Sequence, residues 1–504
     1  MKRAGTIEGV FDKYTAVQIC SDKNISYLLI LFCRLLFFVS HNLLALKTSY
    51  FTLSSALSLA LFCAAPVLLS AQSPCVGGLA AGYPCNEIDL MSHMSPSEIG
   101  GGEMSDIWGW TDPLDDSEYA IIGRYSGTSF IDITDAVNPV YLGQLPAHNN
   151  SGSIWRDIKV YNNHAYIVSE AGGHGMQVFD LTRLRNVVSP PETFTEDGHF
   201  SGFGGAHNLV INESTGRAYG VGANTFSGGL HILDLSNATN PVSIGSFAED
   251  GYTHDAQVVS YAGPDLQHSG KEIAFACNEN SVTIVDVTDA TDAVQLSSTG
   301  YPGSAYIHQG WLTEDHKYFL SNDELDEYYN GGSTKTYIWD VQNLDNPSLI
   351  GTFIGTTSAI DHNLYTHNGY CYQSNYRAGL RILDLENVAS GSLEEVAYFD
   401  VYPTSNSASF NGSWSNYPYF PSGNVVISHI ENGLYIVRPT LAPPPPPCPT
   451  DLNADGAMTV VDVLMMLGDF GCAANCEGDI DGDGLTTVTD MLALLAEFGF
   501  NCPE

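Results

Sequence analysis

Histidine titrates close to neutral pH and binds metals through a neutral ring nitrogen, and four of the 15 histidines in this chain share one local setting. His207 lies in "AHNLVI", His254 in "YTHDAQVV", His308 in "IHQGWL" and His362 in "DHNLY", each at the head of an apolar run with strand-like alternation. Arg156 and Asp157 hold the equivalent place in "WRDIKV". Imidazoles with carboxylates nearby could take Zn²⁺ or another transition ion. They could equally cradle a polar ligand such as a sugar, or bond to a neighbouring strand and fix its position. His254 and Asp255 do not read as a dyad, because alternation sends adjacent side chains to opposite sides of a strand.

The elements that position these residues are repeated. One phrase recurs as "FIDITD" (130–135), "VFDLT" (178–182), "ILDLS" (232–236), "IVDVTD" (284–289), "IWDVQ" (338–342) and "ILDLE" (382–386), and "YIVRP" (435–439) ends the series. Its aspartates are Asp132, Asp180, Asp234, Asp286, Asp340 and Asp384, with Arg438 in the last slot. Several copies continue through Asn-Pro into another short apolar run, which is strand–turn–strand chemistry. Two further strands precede each phrase. Four antiparallel strands per period of roughly 40–50 residues is the signature of a propeller blade. Seven copies predict an all-β, seven-bladed β-propeller over 74–440. The last unit stops after its third strand, so a segment near "NEIDLMSHM" (86–94) is expected to supply the missing outer strand and cover an open edge.

The "IVDVTD"-type phrases resemble LVIVD repeats. The run from "DIWGWTDP" (106–113) through the four histidine motifs to "ENGLYIVRP" (431–439) resembles the choice-of-anchor B family of exported bacterial proteins. That resemblance covers residues 75–440. It implies a secreted or surface propeller with variable C-terminal anchoring modules, and it implies no particular activity.

With the repeats in register, each innermost strand starts on the face where the second strand hands over to the third. Those handovers carry Glu170, His174, Asn224, Glu279, Asp323, Glu324 and His429. The candidate ligand or metal face is therefore His207, His254, His308, His362, Arg156, Asp157, Glu170 and Asp323. The stretch "NDELDE" (322–327) is locally acidic, either a solvated loop or a Ca²⁺ ligand set. There is no H-E-x-x-H, G-x-S-x-G or Walker loop, which argues against the common hydrolase classes. Two functions remain: a non-enzymatic scaffold binding an extracellular polymer or surface protein, and a metal-dependent hydrolase or lyase acting on extracellular polysaccharide. No catalytic residue is assigned.

A net charge of −39 disfavours nucleic acids and anionic membranes as partners. Residues 1–73 read as a targeting region. The stretch 51–73 has the n-, h- and c-regions of a secretory signal with cleavage near Ala71, and residues before about 47 are a possible mis-assigned start. The expected location is secreted or cell surface, with no integral membrane role after signal removal. In an oxidising compartment Cys75 and Cys85, bracketing a Gly-rich loop, could pair. Cys277 and Cys371 lie within strand-like runs and read as buried hydrophobes.

A Pro-rich linker (441–447) leads to a duplication over 448–504. Each copy carries the spacing of an EF-hand loop, with Gly at position 6 making the sharp turn. The ligands would be Asp451, Asn453, Asp455, Ala457 (carbonyl), Thr459 (through water) and Asp462, then Asp479, Asp481, Asp483, Leu485 (carbonyl), Thr487 (through water) and Asp490, giving two Ca²⁺ sites in a small α-helical module. Loop–helix duplication with Asp at position 12 resembles a type I dockerin. The helix starts hold Val460–Val461 and Val488–Thr489 where cohesin-binding dockerins carry a polar pair, so a generic Ca²⁺-stabilised anchoring module is expected ahead of a cohesin-type partner. Cys448, Cys472, Cys476 and Cys502 repeat the symmetry and would staple the module, with three pairings open. Adding Ca²⁺ is expected to raise the melting temperature of this tail, and an EGTA-insensitive melt would refute the two-site assignment.

Overall fold

The computed structural model describes residues 72–441 and, beyond them, 450–453, 458–472, 476, 478–480 and 485–499. The targeting stretch through Ala71, Cys448, Asp455, Ala457, Asp481, Asp483 and Cys502 lie outside the described residues.

Seven sheets form the blades, each built on antiparallel strands, and the short strand Glu192–Thr193 from the blade-two segment adds parallel to the outer strand of blade one. The innermost strands of the blades are Met104–Thr111, Arg156–Tyr161, Asn208–Asn212, Asp255–Ser260, Ile307–Leu312, Asn363–His367 and Ser413–Tyr417. In blades one to six the next three strands follow in chain order outward from the axis. The seventh takes its outer strand from Ile88–Met94, which pairs antiparallel with Gly433–Pro439. The hairpin Leu79–Ala80 and Tyr83–Asn86 extends the outer edge of blade six, tied by the Cys75–Cys85 disulfide.

Each blade buries both faces, so its strands read as apolar runs, and each of the seven blade-to-blade seams holds one apolar cluster. Cys277 and Cys371 lie in two of these seams as free thiols. The repeated aspartate has a structural explanation. In every one of the six copies its Oδ1 accepts the N–H two residues on, as in Asp132 to Thr134 (2.9 Å), Asp234 to Ser236 (2.7 Å) and Asp384 to Glu386 (2.8 Å). This side-chain turn ends the third strand and starts the return. Gly245 in the outer strand of blade three permits close approach of the next blade, since a Cβ there would run into the Ala290 carbonyl.

In the tail, helices Val460–Asp469 and Val488–Ala496 both start with a Thr–Asp capping box. Met458, Met466 and Leu494 form its core, and Cys472 pairs with Cys476. Among the described residues no helix is long and apolar enough to cross a membrane.

The closing strand is expected to be indispensable. Ile88→Ala, at a fully buried site, should cost about 2–5 kcal/mol by the usual range for large-to-small core changes, measured by chemical denaturation. Deleting residues 72–94 should leave Gly433–Pro439 an unpaired edge and give concentration-dependent association in light scattering.

Candidate functional site

Antiparallel order places the start of every innermost strand, the second-to-third turns and the blade-to-blade connections on one face. There His207, His254, His308 and His362, from blades three to six, form an arc with successive ring centroids 4.3, 4.0 and 4.4 Å apart. Blade geometry explains the spacing, because one residue position is repeated around the axis.

The arc is largely closed. His254, His308 and His362 are 4, 2 and 3% exposed. The rings cover one another, and Tyr306, Tyr376 and Trp414 flank them. Two of the four, His254 and His362, have a fixed tautomer, and His207 bonds a carboxylate. His254 Nδ1 donates to the His308 carbonyl at 2.9 Å, His362 Nδ1 to the Trp414 carbonyl at 2.5 Å, and His207 Nδ1 bonds Glu170 Oε1 at 2.6 Å. The Nε2 atoms of His254 and His362 are therefore lone-pair bearing, the arrangement second-partner bonds give to metal-ligating histidines. The Nδ1 of His308 is buried without a partner. Desolvation holds His254 and His308 well below the usual imidazole range and brings His362 down to about 3. All three are neutral at physiological pH.

The carboxylate facing the arc is Glu324, with oxygens 3.9 Å from His308 Nε2 and 3.8 Å from His362 Nε2. It accepts the Tyr376 hydroxyl at 2.8 Å, and burial raises it to about 7. Asp323, one residue earlier, is a loop anchor. Its oxygens take the Tyr301 hydroxyl and the Ala305 and Tyr306 N–H groups at 2.6–2.7 Å. Arg156 is buried under blade one, donating to the Arg124 carbonyl (3.1 Å) and to His174 Nε2 (2.8 Å), with Nη2 unpartnered. Burial lowers its pKa to about 10. Asp157 ties blade two to blade three through the Leu209 N–H at 2.6 Å.

A second ring lies one residue further along the strands and faces the axis. Lys159 Nζ sits 2.6 Å from Asp157 and 3.4 Å from Asp106, with Asp255 in the same electrostatic neighbourhood. Burial pulls the Lys159 pKa down, but Asp157 and Asp106 outweigh it and hold the ammonium charged. Burial lifts Asp106 well above the carboxylate range and Asp255 to about 7. Asp255 thus belongs to the channel and His254 to the arc. Below Lys159 a cavity of about 380 Å³ opens towards the other face, between Trp108, Trp311, Tyr417, Tyr419, Glu213 and Glu314. Sequence reasoning missed Lys159, and assigned Asp323 where Glu324 faces the histidines.

In the tail, Asp462 accepts the Asn453 and Thr459 N–H groups (3.1 and 2.7 Å), and Asp490 those of Ile480 and Thr487 (2.9 and 2.7 Å). Each position-12 aspartate is thereby drawn back over its own loop.

No protein-family profile and no curated protein matches this chain, so the family resemblance stands on its motifs alone. Solved structures with a similar fold include hydrazine synthase of Kuenenia stuttgartiensis (13% identity, 69% of this chain and 97% of that one, TM-score 0.48). Another is the β-propeller domain of Cps50 (Swd1) from Myceliophteria thermophila (13%, 70% and 99%, TM-score 0.44). Likeness at this level carries no functional information.

Buried neutral histidines make the propeller acid-sensitive. His174, fully buried, donates Nδ1 to the Gly175 carbonyl at 3.0 Å and accepts from Arg156, and desolvation followed by the Arg156 charge lowers it to about 4. A depressed folded-state pKa means its contribution is present above about 6.5 and lost as pH falls through about 4, up to ~3 kcal/mol in all. His174→Gln should flatten the stability–pH curve between those values, read by denaturant midpoints at a series of pH.

Proposed function

We propose that this protein is an exported or cell-surface binding propeller that takes an extracellular polymer, a glycan by preference, on its histidine face. A Ca²⁺-stabilised, dockerin-like tail would tether it. The observation carrying this reading is the distribution of exposed aromatic side chains. Among residues 72–441 there are six: Tyr125, Trp155, Phe226, Tyr328, Tyr329 and Phe410, each 41–68% exposed. All six lie in second-to-third turns or blade connections of the histidine face. The described residues of the opposite face expose none.

Solvent-exposed aromatics concentrated on one face mark a binding surface. They continue inward as a chain of ring contacts: Tyr329–Tyr328 (5.4 Å), Tyr328–Phe410 (5.5 Å), Phe410–Tyr376 (5.6 Å) and Tyr376–His362 (4.6 Å). Planar rings beside amides and carboxylates suit the apolar faces and hydroxyls of sugar units. The strong negative charge speaks against a polyanionic ligand. In the tail, Val460, Leu464, Leu467, Val488, Leu492 and Leu495 are exposed at helical spacing, as an anchoring surface requires.

One observation favours a second reading, a metal-dependent hydrolase or lyase. His308 and His362 bring Nε2 atoms to Glu324, so this trio, with His254 beside it, could hold a transition ion. Such an ion would polarise a substrate oxygen. Tautomer-fixing bonds and the Tyr376–Glu324 bond would orient the ligands.

Glycan-array binding by the full chain decides the first reading. Trp155→Ala and Tyr329→Ala should each weaken a captured glycan by about tenfold, near 1.4 kcal/mol, with the fold intact. Undiminished binding in both would remove the aromatic face as the site. Stoichiometric transition metal that is lost in His254→Ala/His308→Ala would shift the assignment to the second reading.

A further inference from the structure

The loop bearing Glu324 carries two more carboxylates that the arc does not use. Asp326 and Glu327 begin the short helix Asp326–Asn330. Together with Asp361, which directly precedes His362, they bring carboxylate oxygens within 4.8 Å of one another. The three side chains are 3, 2 and 1% exposed.

Their hydrogen bonding is incomplete. Asp326 Oδ2 accepts Lys335 Nζ (2.6 Å) and the Tyr337 hydroxyl (2.9 Å). Asp361 accepts the backbone N–H groups of Asp323 (3.1 Å) and Lys335 (2.9 Å). Glu327 Oε1 has only Lys335 Nζ at 3.5 Å. Asp326 Oδ1 and Glu327 Oε2 are fully buried and have no partner.

Buried carboxylate oxygens without a donor are costly, and here two belong to neighbouring groups of like charge. Three carboxylates surround one ammonium, leaving two negative charges uncompensated. A proton held between Asp326 and Glu327 would serve both oxygens but cancel only one of the charges, and burial with the neighbouring carboxylates does push Glu327 and Asp361 upward when no ion is bound. A divalent cation cancels both and gives both orphaned oxygens a partner. An all-oxygen, carboxylate-rich set selects a hard ion over a transition metal.

We propose that Asp326, Glu327 and Asp361 bind one Ca²⁺ ion inside the propeller, separate from the tail loops. Lys335 remains as a built-in counter-charge that moderates affinity. The ion would clamp the helix Asp326–Asn330, which carries the exposed Tyr328 and Tyr329, against the start of the innermost strand of blade six.

The tail loops do not obscure the test, because residues 448–504 contain neither Tyr nor Trp. Terbium luminescence excited through aromatic side chains of the full chain therefore reports the propeller, where Tyr337 already touches Asp326. Saturable sensitised emission, displaced by Ca²⁺, is expected. Glu327→Gln and Asp326→Asn should abolish it while near-ultraviolet circular dichroism shows the fold retained, with one Ca²⁺ fewer per chain by metal analysis. Absence of emission from the wild-type chain, or its full retention in the folded variants, overturns the site. Should either variant fail to fold, the wild-type melt followed by tryptophan fluorescence decides. It must rise on adding Ca²⁺ over EDTA, and an unchanged melt rejects the proposal.

Discussion

Everything in the propeller depends on closing the ring. A blade is apolar on both faces and can bury neither without a neighbour on each side, so seven seams are needed for seven blades. The C-terminal end of the propeller contributes only three strands to blade seven, and Ile88–Met94 completes it. On one side Tyr435 and Val437 pack into blade six, and on the other Leu434 and Ile436 pack against Met104 and Ile107 of blade one. Segments hundreds of residues apart are thus joined in one sheet. That closure fixes the angle of every blade, and with it where each innermost strand begins.

The histidine arc is a consequence of that geometry. A position repeated around a closed ring is brought to about 4 Å spacing, so the rings shield one another, and His254, His308 and His362 remain neutral. Two of them donate to the next blade's backbone and lock the ring. Locking and binding are not exclusive, since the bond that fixes a blade also fixes the tautomer and leaves Nε2 available. Below the arc, three aspartates share one lysine in the channel. There burial and like charge raise two carboxyls while opposite charge keeps the ammonium protonated.

Much of the fold was legible because the repeat has a physical cause. The aspartate of each phrase recurs because a third strand must end in a turn, and its side chain makes that turn. The Arg438 slot departs from the pattern because no fourth strand follows it in the chain. Function was less legible. Asp323 and Glu324 are indistinguishable by type, and only the loop conformation makes one an anchor and the other a partner of the histidines. Lys159 lies inside an ordinary strand phrase. The six exposed aromatics run from residue 125 to residue 410 with no shared motif.

The sequence by itself determined the number of blades, the strand order, the identity of the closing segment and the histidine slot. These follow from local alternation and turn chemistry repeated at a fixed period. Only the tertiary structure decided which histidines are buried and neutral, that Asp255 joins the channel, that Asp326, Glu327 and Asp361 share one pocket, and that the exposed aromatics gather on one face. Those outcomes depend on desolvation and on distances between blades. Both are set by ring closure, and neither is encoded within any single repeat.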